Sequence, residues 1–159
     1  MDLRVVAYDD PDAVKLIAAV QQEYVVRYGE TDATPVDPAE FAPPLGLFVV
    51  AYLDGEPVAC GGWRVRGDDE AELKRMYVAD AARGKGFARA VLAELERTAL
   101  AAGRRRLVLE TGLKQPEAIA LYRSSGYTDV PAFGHYRDDP LSVYLGKDLE
   151  GSRGDLRAR

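Results

Sequence analysis

The sequence predicts an α/β (α+β) fold in which one mixed, mainly antiparallel sheet of six to seven strands is flanked by about four helices. Two observations favour this fold. Three apolar runs, at 47–52, 58–66 and 72–78, are separated by short turns rich in Asp and Gly, so they form successive antiparallel strands. The chain then continues through a glycine-rich turn and a helix into a strand at 106–110, and a strand–helix–strand unit implies a parallel pair.

The first 46 residues predict a strand, a helix and a connecting segment. A β-rich run opens the chain at 3–8. The sequence Asp-Pro-Asp at 10–12 is typical of a helix start, apolar residues follow at helical spacing, and Gly29 ends the pattern. Residues 30–46 are rich in Pro, Asp and Thr and form a loop or a short helix, which either covers a substrate or merely connects.

The rest of the chain predicts two more helices and the last strands. Helices are expected at 87–102 and 115–125, each ended by a glycine. The stretch 127–149 predicts two strands. Within the earlier strand run, the Gly-Gly pair at 61–62 predicts a bulge or the close approach of another backbone.

The composition indicates a globular protein of one domain. We expect residues 1–149 to form that domain and the polar residues 150–159 to form a disordered tail. The single cysteine, Cys60, excludes an intramolecular disulfide and a cysteine-based zinc cluster, and the single histidine argues against a histidine-rich metal site. No secretion signal is visible and no apolar run approaches the ~20 residues that span a membrane, so we expect a cytoplasmic protein.

The net charge of −5 hides an uneven distribution of charge. Residues 1–60 hold eleven acids and three bases, whereas residues 83–106 hold seven bases and two acids. The acidic N-terminal part argues against nucleic-acid binding, which needs a broad basic face. The basic segment instead surrounds the glycine-rich turn, where a polyanionic ligand would bind.

This glycine-rich turn lies between a strand and a helix. Such a turn presents backbone N–H groups next to the positive end of a helix dipole, and these groups bind anionic oxygens, phosphate above all. Two basic side chains add charge at the same place. The sequence therefore predicts a phosphate-bearing cofactor bound by Arg83, Gly84, Lys85, Gly86, Phe87 and Ala88.

Two motifs of the chain resemble the GNAT superfamily of acetyl-CoA-dependent N-acetyltransferases. The first is the family signature of Arg or Gln, two residues, Gly, one residue, and Gly or Ala, which fits Arg83, Gly86 and Ala88. The second follows the next strand; the usual Asn is Gln115 here, and the matching residues are Ala118, Leu121, Tyr122, Gly126 and Tyr127. The resemblance, to small bacterial members, covers residues 3–149.

The resemblance implies how a cofactor lies on this fold. Acetyl-CoA, as a co-substrate and with no metal, would occupy a V-shaped splay between the fourth and fifth strands. The backbone of Met76, Tyr77 and Val78 would hold the pantetheine arm, and the amides from Gly84 to Ala88 would hold the pyrophosphate. An amide near Met76 would polarise the thioester carbonyl, and Gln115 is counted among the cofactor-binding residues.

The resemblance also implies two catalytic residues. Tyr122 stands where the family has a general acid that protonates the CoA sulfur; the alternative is a core aromatic on the apolar stripe of its helix. Glu72 stands where several members carry a glutamate that deprotonates the amine; the alternative is a solvated carboxylate near Lys74 and Arg75. Glu110, at another strand end, ranks just below Glu72, and many members use no dedicated base.

Five residues are candidates for substrate binding: Glu110, Arg64, Arg75, Tyr28 and His135. Together with Lys74, the two arginines could bind a substrate carboxylate, but the sequence favours the solvated face of a hairpin. Tyr28 lines a pocket or belongs to the core stripe of the first helix. A histidine titrates near neutral pH, but His135 in its turn-rich segment is more often a surface or structural residue.

The leading interpretation is an enzyme that acetylates a primary amine of a small molecule or peptide by direct transfer in a ternary complex. The alternative is a non-catalytic CoA-binding sensor or partner-binding module of the same fold. A P-loop or Rossmann protein is excluded, because the chain has no Gly-Lys-Ser/Thr and three antiparallel strands precede the glycine turn. We expect no nucleic-acid and no membrane partner; a homodimer is a common arrangement in the family.

Overall fold

Within the part of the chain that the structure describes, seven strands form one sheet. A computed structural model describes residues 1–149, and the expected disordered tail at 150–159 lies outside the described residues. The strands are β1 (Asp2–Val6), β2 (Gly46–Leu53), β3 (Glu56–Arg66), β4 (Glu70–Val78), β5 (Arg106–Gly112), β6 (Thr128–Asp129) and β7 (Ser142–Asp148). Their order in the sheet is β1-β2-β3-β4-β5-β7-β6.

The helices within residues 1–149 are α1 (Pro11–Tyr28), α2 (Phe87–Ala101) and α3 (Pro116–Ser124), with 3₁₀ turns at Pro38–Phe41 and Asp80–Ala82. Asp10 caps α1 by accepting a hydrogen bond from the Asp12 amide at 2.9 Å, and Gly29 ends it at a φ of 84°. None of these described helices is both long and apolar enough to cross a membrane. The predicted mixed sheet with flanking helices is confirmed, with a 3₁₀ turn in the segment 30–46.

The neighbouring strands β4 and β5 are paired over only a short length. All other neighbours in the sheet run antiparallel, whereas β4 and β5 run parallel and pair from Glu70 with Arg106 to Glu72 with Val108. Beyond Glu72, β4 continues beside β3, while β5 continues beside β7. The two strands therefore diverge into the expected V-shaped gap.

The strand β4 carries a bulge where it enters the gap. Cys60 pairs with Tyr77 and Gly62 pairs with Lys74, so the single residue between them on β3 faces two residues on β4. One of these two, Arg75, adopts a φ of 63°, which is unusual for a residue other than glycine. The bulge predicted from the Gly61–Gly62 pair is confirmed.

The two faces of the sheet carry separate cores. Leu73 and Leu109 belong to the core beneath α2 and α3, whereas Phe48 and Cys60 belong to the core beneath α1. Side chains alternate between the two faces along a strand. Glu110, the neighbour of Leu109, therefore lies on the α1 face, and the two faces meet in the gap.

Candidate active site

The gap between β4 and β5 opens into a cavity of about 200 Å³, here called the gap cavity. Its walls come from both strands, from α3, from the end of α1 and from two loops. It brings together six of the predicted site residues: Tyr28, Arg75, Met76, Glu110, Gln115 and Tyr122. Other lining residues include Lys74, which the sequence analysis considered together with the arginines, and Asp32, Tyr136 and Ser142, which it did not consider.

The C-terminal end of α1 closes one end of the gap cavity. The Tyr28 hydroxyl donates to Gln115 Oε1 at 3.3 Å and accepts from the Lys114 amide at 3.2 Å. This approach requires glycine at 112, because a Cβ there would clash with the Tyr28 hydroxyl. Arg27 donates to the Lys114 carbonyl at 2.6 Å. The helix is thus fastened to the turn between β5 and α3.

Glu110 lines the gap cavity from β5, and its surroundings favour the neutral acid. Burial raises the pKa of its carboxyl to about 7, although a hydrogen bond with Ser142 and the charge of Lys74 oppose the rise. The carboxyl is therefore about half ionised at neutral pH. Such a group is suited to accept a proton and to return it.

Tyr122 lines the gap cavity from α3 and is 5% exposed. Its ring makes an edge contact with that of Tyr127, with centroids 5.8 Å apart. Burial, reinforced by the charge of Glu110, raises the pKa of the hydroxyl, so the phenol stays protonated at neutral pH. Tyr122 belongs to the core, as one interpretation of its position expected, and it also lines the cavity. Its catalytic role stays a prediction.

A buried ion cluster faces the gap cavity. Asp32 Oδ2 accepts from Lys74 Nζ at 2.9 Å and from Arg75 at 2.6 Å. Burial disfavours the ionised Asp32, but Lys74 and the hydrogen bonds from Thr34 outweigh it and hold the pKa of that carboxyl below its ordinary value. Lys74 and Arg75 are 8% and 5% exposed. The expected solvated hairpin face is therefore wrong for these two residues, because the bulge turns both toward Asp32.

The segment 30–46 lines the gap cavity with its first residues and connects α1 with β2. Its first residues contribute Asp32 to the gap cavity, and the Ala33 amide donates to the Tyr136 hydroxyl at 2.7 Å. Farther along, Phe41 is buried and stacks on Tyr8, with centroids 4.8 Å apart. The first residues of the segment therefore line the gap cavity and its second half packs in the core, while a substrate-covering role stays a prediction.

A second cavity, of about 540 Å³, adjoins the first, and both are lined by Lys74, Glu110 and Tyr136. His135 lines this second cavity and not the first. Its ring makes an edge contact with that of Tyr136, with centroids 4.7 Å apart. Within residues 1–149, no group of three or more His, Cys, Asp or Glu side chains is arranged to hold a metal ion.

Glu72 and Arg64 also line the second cavity rather than the gap cavity. Arg64 Nε donates to Glu72 at 3.1 Å. Arg64 Nη1 donates to Glu40 at 3.0 Å and to the Pro35 carbonyl at 2.9 Å. The predicted base and the predicted substrate ligand are therefore paired with each other. Glu72 does not share a cavity with Tyr122.

The glycine turn leaves its backbone amides open. Gly84 and Gly86 have φ values of 77° and 85°, which favour glycine, and nothing lies within 4 Å of where a Cβ would be. Gly86 caps α2, and no side chain binds the first amides of that helix. Phe87 is buried and fixes the helix start in the core, while Lys85 and Ala88 lie at its edge, exposed and half-buried respectively.

Arg83 is held by the protein itself. Its Nε donates to the Val78 carbonyl at 3.1 Å, and its terminal nitrogens bind Glu23 at 3.1 Å and Asp80 at 3.2 Å. These two carboxylates therefore balance the positive charge of Arg83, which the sequence predicted would bind a phosphate. At the turn, the backbone amides and Lys85 are better suited to that role.

Among the strands of residues 1–149, none pairs with the β4 edge that faces the gap beyond Glu72. Pairing with β5 ends at Glu72, and the half-buried residues Met76, Tyr77 and Val78 follow it along the strand. An extended molecule can pair with such an edge through its own amides. The predicted cofactor-binding backbone is thus positioned beside the gap cavity.

The site residues that the sequence did not indicate lie far apart in the chain. Asp32 is 42 residues from Lys74, and it is one of eleven acids among the first 60 residues, so no local signal distinguishes it. Tyr136 and Ser142 reach the site from the loop before β7 and from its first residue. No spacing pattern in the sequence links these residues.

Comparison with known proteins identifies a family. Residues 14–127 match the acetyltransferase (GNAT) family. An IAA acetyltransferase from Azospirillum brasilense is 44% identical over 105 residues, which cover 64% of this chain and 67% of the relative. Human N-acetylaspartate synthetase is 34% identical over 120 residues, or 75% of this chain, and the matched part spans 40% of that relative.

Solved structures show the same fold. A Klebsiella pneumoniae protein, provisionally assigned as an acyl-CoA N-acyltransferase, superposes with a TM-score of 0.77 at 32% identity, covering 93% of this chain and 97% of the other. The PaiA N-acetyltransferase of Thermoplasma acidophilum, in complex with coenzyme A, has a TM-score of 0.71 at 15% identity and covers 93% and 99%. The family match spans more than half of the sequence. The chain therefore belongs to the GNAT family of acetyltransferases.

Proposed function

We propose that this protein transfers an acetyl group from acetyl-CoA to a primary amine of a small molecule or peptide, directly within a ternary complex. The observation that carries the proposal is the presence of Glu110 and Tyr122 in one cavity. The pKa of the carboxyl is near 7, and the phenol stays protonated. Acetyl transfer to an amine needs one group that accepts a proton and one that donates a proton.

The residues around the gap fit acetyl-CoA, which supplies the acetyl group as a thioester when bound. The uncapped amides from Gly84 to Ala88 and the Lys85 side chain would hold its pyrophosphate. The free edge of β4 at 76–78 would hold the pantetheine arm, and Gln115 lines the gap beside it. Coenzyme A bound to the PaiA enzyme, which has the same fold, supports this assignment.

Glu110 acts as the general base in this proposal, in place of Glu72. Glu72 is bound by Arg64 and lies outside the gap cavity, whereas Glu110 lies inside it and titrates near neutral pH. Glu110 accepts the proton that the amine nitrogen loses as that nitrogen bonds to the acetyl carbon. The amide near Met76 polarises the carbonyl oxygen during this step.

Tyr122 acts as the general acid. Tyr122 lines the gap cavity from the α2 and α3 face of the sheet, whereas Glu110 lies on the α1 face. Burial keeps the Tyr122 hydroxyl protonated. The phenol gives its proton to the thiolate that departs as the carbon–sulfur bond breaks. Glu110 and Tyr122 then return to their starting states by exchanging protons with water.

Two measurements test the proposal. Calorimetry with acetyl-CoA, ATP and NAD is expected to detect binding of acetyl-CoA, and a preference for ATP or NAD would contradict it. Thiol release is then measured over a panel of small amines and peptides, where turnover is expected for at least one acceptor. Binding of acetyl-CoA with no turnover across the panel would favour the non-catalytic CoA-binding module. The cytoplasmic location and the homodimer stay predictions.

A further inference from the structure

Two cations share one carboxylate beside the gap cavity. Lys74 and Arg75 are 8% and 5% exposed, and both donate to the same oxygen of Asp32. With two positive side chains and one negative side chain, this cluster carries an excess of one positive charge. A buried charge without a counter-charge is costly, so an anion that enters the cavity would stabilise the cluster.

The bulge in β4 is what brings the two cations to one place. Neighbouring residues of a regular strand point to opposite faces, but Arg75 adopts a φ of 63° and reaches the same carboxylate as Lys74. Such a conformation is strained for a residue other than glycine, and strain of this kind is concentrated at functional sites. The strained backbone thus gathers positive charge on one side of the gap.

The Lys74 ammonium retains donors for a ligand. An ammonium has three N–H groups, and within residues 1–149 the Lys74 nitrogen donates only to Asp32. The other Asp32 oxygen is bound by the amide and the hydroxyl of Thr34. Because Lys74 lines the gap cavity, its remaining donors are available to a molecule bound there.

The other charged groups around the cavity balance this cluster only in part. Glu72, two residues before Lys74, is bound by Arg64 at 3.1 Å. The pKa of Glu110 lies near 7, so this carboxyl is only partly ionised at neutral pH. Glu30 and Asp139 line the cavity from exposed loop positions, where water and salt screen their charges.

We propose that Lys74 and Arg75 bind a carboxylate of the acceptor, so that the acceptor is a small amine with its own free carboxylate, as in a free amino acid. This inference rests on the proposed function and narrows its substrate class. Lys74 and Glu110 line the same two cavities, so an acceptor whose carboxylate binds Lys74 and whose amine faces Glu110 carries the two groups close together. A peptide carries an amide at the corresponding position, which has no charge to offer the cluster.

Matched acceptors test the inference with the unmodified protein. Each amino acid of a panel with acidic, basic, polar and apolar side chains is compared with its carboxamide and with a dipeptide that begins with the same residue. Thiol release at saturating acetyl-CoA gives kcat and KM, corrected for the fraction of free amine. We expect kcat/KM for the best free amino acid to exceed that of its carboxamide by about 10²-fold, mainly through KM. Equal values across the panel would overturn the inference.

Substitution of Lys74 separates recognition from structure. Lys74→Met is expected to bring the ratio between amino acid and carboxamide close to one, whereas Lys74→Arg retains most of the preference. Lys15→Met is the matched control, because Lys15 is exposed on α1 and lines neither cavity. If Lys74→Met slowed both acceptors equally and kept their ratio, Lys74 would be structural and the inference would fail.

A binding measurement keeps this inference distinguishable from the proposed function. N-acetyl amino acids and their carboxamides are titrated by calorimetry into the protein with CoA. Selective binding of the carboxylates without turnover of any amine would support the carboxylate subsite and contradict the enzymatic proposal. Turnover without any preference for carboxylates would contradict the subsite alone. Absence of both selectivity and turnover would overturn both proposals.

Discussion

Glu72 and Glu110 occupy similar positions on neighbouring strands but have different surroundings. Glu72 lies where β4 still pairs with β5, and Arg64 binds it at 3.1 Å. Glu110 lies two residues beyond Val108, the last residue of β5 that pairs with β4, and burial raises the pKa of its carboxyl to about 7. The difference teaches that the point where the strands separate decides the surroundings of a carboxylate: Glu72 is paired with an arginine, whereas Glu110 is buried in the gap cavity.

The largest expected effect is the loss of activity when Glu110 is neutralised, and neutralising Glu72 provides the comparison. Glu110→Gln is expected to lower kcat/KM for acetyl transfer by about 10³-fold, because an amide cannot accept the amine proton. Glu72→Gln is expected to change kcat/KM by less than about tenfold, because Glu72 lies outside the gap cavity. Thiol release measures both variants. A greater loss in Glu72→Gln than in Glu110→Gln would reverse the two assignments.

The pH profile serves as a control for the Glu110 result. The base must be ionised, so the kcat/KM of the unmodified protein is expected to rise through about pH 7, the pKa of the Glu110 carboxyl. The amine also loses its proton as pH rises, so two acceptors with different amine pKa values are compared. The rise in kcat/KM that reflects ionisation of Glu110 is expected at the same pH for both acceptors, and it is expected to be absent from Glu110→Gln.

The proton donor on the opposite face is expected to show a smaller effect. Tyr122→Phe removes the hydroxyl and is expected to lower kcat by about 10²-fold, with little change in the affinity for CoA measured by calorimetry. Tyr127→Phe is the matched control: Tyr127 is also buried, but it donates to Glu96 at 2.8 Å and does not line the gap cavity. Equal activity of the two variants would remove Tyr122 from the mechanism.

The two carboxylates should also differ in their effect on stability. The pKa of Glu110 rises from 4.5 to about 7 on folding, so the folded state binds its proton more tightly than the unfolded state. The contribution of Glu110 to stability is therefore fully present below pH 4.5 and is lost as pH rises through 7. Glu110→Gln abolishes this loss, and its gain in the free energy of unfolding is expected to be about 2–3 kcal/mol larger at pH 8 than at pH 5. Urea unfolding at both pH values measures this, and an equal gain at both would contradict it.

The smallest expected effect is the loss of stability when Glu72, which is paired with Arg64, is neutralised. Glu72→Gln removes one ion pair with Arg64, which still binds Glu40, and is expected to lower the free energy of unfolding by about 1 kcal/mol. Glu94→Gln breaks the more exposed pair with Arg97 and is expected to cost less, because water and salt screen an exposed pair. Urea unfolding at one pH compares the two. A cost of Glu72→Gln as large as the pH-dependent effect of Glu110→Gln would remove the distinction between the two carboxylates.

Features that depend on neighbours in the chain could be predicted from the sequence. The start and end of α1 follow from Asp10 and Gly29, and the turn before α2 follows from its glycines. A bulge could be predicted from the adjacent Gly61 and Gly62, and it lies at this pair, with the extra residue on the facing strand β4. In each case a few adjacent residues contain the physical cause.

Features that depend on where the strands separate could not be predicted. Nothing local distinguishes Glu110 from Glu72, because the difference between them arises from the point at which β4 leaves β5. The same holds for Lys74 and Arg75, which the sequence assigned to a solvated face. Their burial depends on Asp32, which comes from a loop 42 residues away from Lys74.

The ion pairs that attach α1 to the glycine turn and to α3 have a consequence for protein engineering. Glu23 of this helix binds Arg83 beside the glycine turn at 3.1 Å and Arg27 at 3.4 Å, and Arg27 in turn binds Glu117 on α3 at 2.5 Å. This row of side chains joins the two arms of the gap where the strands no longer pair. We therefore expect substitutions on the surface of this one helix to change the width of the opening, so that acceptors of other sizes can be sought without altering a strand.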